Sequence, residues 1–175
     1  MKRFLIIVLL LSLSCKETSK EAVAEVKNSE AEVKSDIDLK IYDYDGLEPL
    51  INKTDDKVHV VNFWATWCAP CIKELPYFEK VKAEYEKKGV EVLLVSLDFP
   101  RQYETKLKPF IKEKQLQSEV VCFDDVDQNR WIPAIDSTWS GALPATIIYK
   151  NDKRQFYERS FNYKELEKEV QQFLK

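Results

Sequence analysis

A nearly unbroken apolar run, Val58-His59-Val60-Val61-Asn62-Phe63-Trp64, leads within four residues into a helix that begins on a pair of cysteines. A run so short and so apolar suits a strand buried on both faces. The helix predicted over 70–88 sets Ile72, Leu75, Phe78, Val81 and Tyr85 along one side, the stripe a surface helix turns to a core. Gly89 follows where a C′ glycine belongs. A buried strand running straight into such a helix restricts the chain to layered α/β architectures.

The remaining pattern extends that reading. Strands are predicted over 39–42, 90–97, 120–123, 145–149 and 155–159, with a hairpin turn at Asn151-Asp152. Helices are predicted over 46–52, 103–116 and 163–174, and a helical turn over 129–135. The last helix turns Leu166, Val170 and Phe173 inward. The order β-α-β-α-β followed by β-β-α fits a central mixed sheet flanked by helices. At 175 residues with 45% hydrophobic content, the chain suits one domain with a core of its own.

Composition removes several function classes. Twenty-seven basic residues stand against 30 acidic ones, so no nucleic-acid surface is indicated. Only three glycines occur, and no glycine-rich phosphate motif is present. The N-terminus reads as a targeting segment. Lys2 and Arg3 precede an apolar run from Phe4 to Leu13, too short to span a bilayer but suited to a signal-peptide core. It ends in Leu11-Ser12-Leu13-Ser14-Cys15, which resembles a bacterial lipobox with Cys15 as the lipidated residue. Ser12 and Leu13 depart from the usual pattern, and an ordinary secretory signal is the alternative; both export the chain. Residues 16–38 hold no aromatic side chain and read as a solvated tether. The expected domains are therefore 1–15, 16–38 and 39–175.

Cys68-Ala69-Pro70-Cys71 carries the chemistry. Two intervening residues bring the sulfurs within disulfide reach when the second sits in the first helical turn. The free N–H groups and partial positive charge of a helix start favour a thiolate. Cys68 is then the exposed attacking sulfur, and Cys71, deeper by one turn, resolves the mixed disulfide. Half of a zinc site and a permanent structural disulfide are the other readings of a CxxC. A closed zinc site needs four ligands, but there is no second CxxC, and the single histidine, His59, lies in the preceding strand. No metal is expected. Cys122, within a predicted strand, reads as a small core hydrophobe.

Residues 61–71, Val-Asn-Phe-Trp-Ala-Thr-Trp-Cys-Ala-Pro-Cys, together with Gly141-Ala142-Leu143-Pro144-Ala145-Thr146, resemble two segments of the thioredoxin superfamily. The likeness is closest to its exported TlpA/ResA-like branch and covers nearly all of 39–175. It implies a thioredoxin-like three-layer fold with an insertion before a cis-proline loop at Pro144. It also implies a Cys68–Cys71 dithiol–disulfide cycle with no separate cofactor. Trp67, Pro70, Leu143 and Pro144 become the residues that meet a partner. Asn62 stands where thioredoxin has a buried aspartate. Glu74 matches the acidic position that tunes the cysteines in ResA-like proteins, which implies a role as proton acceptor or pKa modulator; a solvated surface glutamate is the alternative.

The resemblance implies a protein-disulfide reductase of a Gram-negative cell envelope, anchored to a membrane by lipid with its domain in the periplasm. The expected partners are disulfide-bearing envelope proteins and an upstream membrane thiol donor. Two other functions are alternatives. A peroxiredoxin-like thiol peroxidase would need Thr-x-x-Cys, whereas Thr66 stands two residues before Cys68. A metal-binding or metallochaperone module would use CxxxC and a distal histidine. Trp131, Ile132, Trp139 and Leu143 are expected to extend an apolar docking surface around Trp67, with packing inside the insertion as the alternative for Trp131.

Overall fold

The computed structural model describes residues 37–175. Its framework is one six-stranded sheet in the order β1-β4-β3-β2-β5-β6. The strands are β1 (Lys40–Tyr42), β2 (Val58–Trp64), β3 (Val90–Ser96), β4 (Glu119–Phe123), β5 (Ala145–Lys150) and β6 (Lys153–Tyr157). β1, β4, β3 and β2 run parallel, while β5 and β6 are antiparallel to their neighbours. The helices are α1 (Tyr44–Leu47), α2 (Ala69–Tyr85), α3 (Lys108–Lys114), α4 (Gln128–Ile135) and α5 (Tyr163–Phe173). This is the expected thioredoxin-like α/β fold.

Every residue of β2 is buried, as its apolar run requires. Strand alternation then divides the core in two. Val58, Val60 and Trp64 face α2, α3 and α5, while Val61 and Phe63 face α1 and α4. Burying both faces of the central strand fixes its register, because a one-residue slip would exchange the two side-chain sets.

Several boundaries differ from the sequence reading. The helix expected over 103–116 is composite: a 3₁₀ turn, Pro100–Gln102, passes into a π-helical turn, Tyr103–Leu107, and only then into α3. Pro109 falls in the first turn of α3, where its missing N–H is no loss. Gln115 closes α3 in the left-handed conformation. The helix expected over 46–52 starts earlier, because the Asp43 side chain accepts from Gly46 N and caps α1; a 3₁₀ turn, Glu48–Leu50, follows. β6 lies two residues upstream of its expected position. The tight hairpin sets this register, with Asn151 taking φ 50° and Lys150 paired with Lys153. Among the described residues no helix is long and apolar enough to cross a membrane. The signal-peptide reading, the lipidation of Cys15 and nearly all of the tether fall outside the described residues.

Candidate active site

The site lies where β2 hands the chain to α2. Cys68 is the N-cap of α2 in extended backbone, and its Sγ accepts the Cys71 N–H at 3.3 Å. Pro70 falls in the first turn, where its missing N–H is no loss. The two cysteines are joined as a disulfide with Cα atoms 5.3 Å apart. Cys71 is fully buried and Cys68 retains 6% exposure. Cys68 is thus less open than expected, yet it is the one residue of the pair that retains any exposure.

The Leu143–Pro144 peptide is cis, as the resemblance implies. In the β2–β5 ladder Ala145 pairs with Phe63. Pro144, one residue earlier, therefore sits at the sheet end from which the Ala65–Cys68 loop departs. Leu143 packs against both halves of the core.

Glu74 is not a surface residue. It is 1% exposed, on the α2 face shared with Cys71 and Phe78. Three residues separate it from Cys71, so the two side chains are neighbours one turn apart. Its Oε1 accepts from Asn62 Nδ2 at 3.0 Å and its Oε2 from Phe161 N at 2.8 Å. Burial raises its pKa from the usual 4.5 to about 7, against the lowering effect of those two bonds and of the Arg159 charge. Asn62 is fully buried and also donates to Thr146 Oγ1, its register partner on β5, at 3.1 Å. Its Oδ1 has no hydrogen-bond partner among the described residues. A buried carboxyl with its midpoint near neutrality, one turn from the resolving sulfur, is suited to holding and releasing a proton there.

Asp98 was missed by sequence reasoning. Its buried carboxylate accepts from the backbone N of Thr66 at 3.0 Å, from Thr66 Oγ1 and from Ser96 Oγ. Nothing local in the sequence marks it, because Thr66 reaches it from 32 residues away. Trp67 is 54% exposed and stacks on Phe99. Trp131 and Trp139 do not extend that surface. They are buried and stack edge-on in the core, with their indole N–H groups bonded to the carbonyls of Asp125 and Ala142. Ile132 packs against the same side of the core. Cys122 is buried as expected, its thiol pushed up to about 12 by desolvation and by the Asp98 charge. His59 is buried and satisfied, bonded to Asp55 at 2.7 Å and stacked on Tyr149. Among the described residues, no three His, Cys, Asp or Glu side chains cluster to hold a metal ion.

With this geometry in place, comparison with known proteins gives the family. The AhpC/TSA family model matches residues 29–154. The chain belongs to the AhpC/TSA family. It is similar to the Thiol-disulfide oxidoreductase ResA of Oceanobacillus iheyensis, 50% identical over 48 residues, or 27% of this chain and 25% of that one. The ResA of Geobacillus thermodenitrificans is 32% identical over 117 residues, covering 66% of this chain and 62% of the relative. The matches thus span less than two thirds of these relatives. Among solved structures, a thioredoxin-related protein from Neisseria meningitidis serogroup B is similar with a TM-score of 0.59 at 25% identity, covering 69% of this chain and 87% of that one.

Proposed function

We propose that the chain is a thiol–disulfide oxidoreductase of the bacterial cell envelope, working as a protein-disulfide reductase. The observation that carries this is the Cys68–Cys71 pair on the α2 N-terminus, with Cys71 fully buried, Cys68 retaining some exposure, and a buried acid a turn below. In the reduced state the Cys68 thiolate attacks a partner disulfide, forming a mixed disulfide and releasing one partner thiolate. Cys71 gives its proton to Glu74 and attacks Cys68 Sγ, breaking the mixed disulfide and releasing the second partner thiolate. Two electrons pass to the partner, and Cys68–Cys71 is left oxidised. An upstream dithiol donor then restores it by the same exchange. Trp67, Pro70, Leu143 and Pro144 surround the reacting sulfurs and meet the partner chain.

The relatives' printed activity supports this reading. A peroxidase is disfavoured, because the Thr66 hydroxyl is bound to Asp98. Residues 1–15 serve as a lipoprotein signal, Cys15 as the lipid anchor and 16–38 as a tether that holds the domain off a Gram-negative membrane. The test is insulin reduction by wild type, Cys68→Ser and Cys71→Ser, with the reduction potential of the pair. A potential near −250 mV, with activity lost in Cys68→Ser, is expected; one near about −120 mV would reverse the direction. Intact mass of the membrane-extracted protein tests the anchor: an unmodified Cys15 would overturn it.

A further inference from the structure

Four large hydrophobic side chains stand exposed among the described residues: Ile41, Trp67, Phe99 and Val126. Two of them are in contact beside the disulfide. The Trp67 and Phe99 rings stack with centroids 6.4 Å apart and planes 24° apart, each more than half exposed. Their pairing has a definite cause. Thr66 immediately precedes Trp67, and Asp98 immediately precedes Phe99. The Asp98 carboxylate, 2% exposed, takes both the N–H and the hydroxyl of Thr66. It also accepts from Ser96 Oγ at 2.8 Å, while its own N–H donates back to that oxygen at 3.1 Å. A buried carboxylate satisfied by three donors is a stiff joint, and a charge-assisted bond to a backbone N–H is among the stronger neutralisers available. The joint ties the loop before Cys68 to the end of β3, so that two rings from distant parts of the chain emerge side by side.

We propose that the Thr66–Asp98 clamp holds Trp67 and Phe99 as a two-ring seat for an apolar side chain flanking the cysteine of an incoming polypeptide. Asp98 is then a positioning residue and Phe99 a specificity-determining one. The seat adjoins Cys68, where a partner's mixed disulfide forms, and the inference rests on the exchange activity proposed above. An aromatic or aliphatic side chain laid on the two rings removes apolar area from water on both molecules. The Arg101 guanidinium, 5.5 Å from the Phe99 centroid, borders the seat.

The test uses the reduced full-length protein and two symmetrical peptide disulfides, one with Phe beside its cysteine and one with Gly there. Wild type is expected to favour the Phe peptide roughly tenfold in the second-order rate constant of the single turnover. Phe99→Ala should cut that preference to about twofold, and Phe99→Trp should retain it. Asp98→Asn should lower it too, with Trp67 more open to acrylamide quenching, since the other three tryptophans are buried. Thermal unfolding of each variant checks that it is folded, and the surface change at Phe99 does not depend on Asp98→Asn folding. A preference that survives in Phe99→Ala overturns the seat while leaving the exchange reading intact. So does a dimer that Phe99→Ala dissociates with the preference unaltered, which would give the patch to a second copy. A wild type that reduces neither peptide overturns the exchange reading, and the seat with it.

Discussion

Replacing Glu74 with glutamine should change how stability depends on pH, and the size of the change follows from its surroundings. Burial lifts the carboxyl from 4.5 to about 7, so the folded state holds this proton more tightly than the unfolded chain does. The sign is therefore opposite to that of a salt-bridged acid. The folded protein loses stability as pH rises from the unfolded value near 4.5, at up to about 1.4 kcal/mol per pH unit, and the loss is complete above pH 7. The gap between the two midpoints corresponds to ~3 kcal/mol. Glutamine keeps the shape and an oxygen for Phe161 N. Its NH₂ can be met if Asn62 turns its amide to offer Oδ1, with the Thr146 hydroxyl then donating to that oxygen in place of the Nδ2 donation it now accepts. In urea titrations of the oxidised protein, wild type and Glu74→Gln should be close in stability near pH 4.5. The variant should pull ahead by ~3 kcal/mol at pH 8. The disulfide sulfurs do not titrate in that state, and every other titrating group is common to both proteins. A difference between the two that stays constant from pH 4.5 to 8 would refute the assignment.

Two further outcomes follow from the same core. Asn62→Asp sets a second carboxylate about where Nδ2 now meets Glu74, and two such groups cannot both ionise cheaply. Its destabilisation in urea should be roughly 2 kcal/mol at pH 8 and shrink towards pH 5; an equal loss at both would count against it. In a Cys15→Ser background, the oxidised protein should give no Ellman-reactive thiol until denaturant exposes Cys122, which is buried with its thiol pushed up to about 12. Reaction within minutes in native buffer would contradict that burial.

β2, β3 and α2 were legible because their apolar periods have no second interpretation at those lengths. The Cys68–Cys71 pair was legible because its position between strand and helix supplies the chemistry. Glu74 was half legible. The spacing from Cys71 and Phe78 places it on the buried stripe, but a glutamate there only makes sense once Asn62 and Phe161 supply donors, and Phe161 lies 87 residues away. The helix expected over 103–116 differs because its first half is a π-helical turn, which apolar period does not distinguish from an α-turn. Trp131 and Trp139 were read as surface because aromatics near a redox loop suggest docking. Their indole N–H groups instead find carbonyls inside the fold, which lets both rings be buried.

The strand order has a mechanical consequence. A pull applied through the N-terminal side of the chain enters the sheet at β1, a three-residue strand whose one ladder among the described residues is with β4. Two strands, β4 and β3, separate it from β2, at about 4.8 Å per step. β2 is held on its two edges by seven register pairs to β3 and five to β5, so it stays seated if β1 peels away. Tension arriving from that direction is spent on the least-bonded edge, and the sulfurs keep their alignment under load.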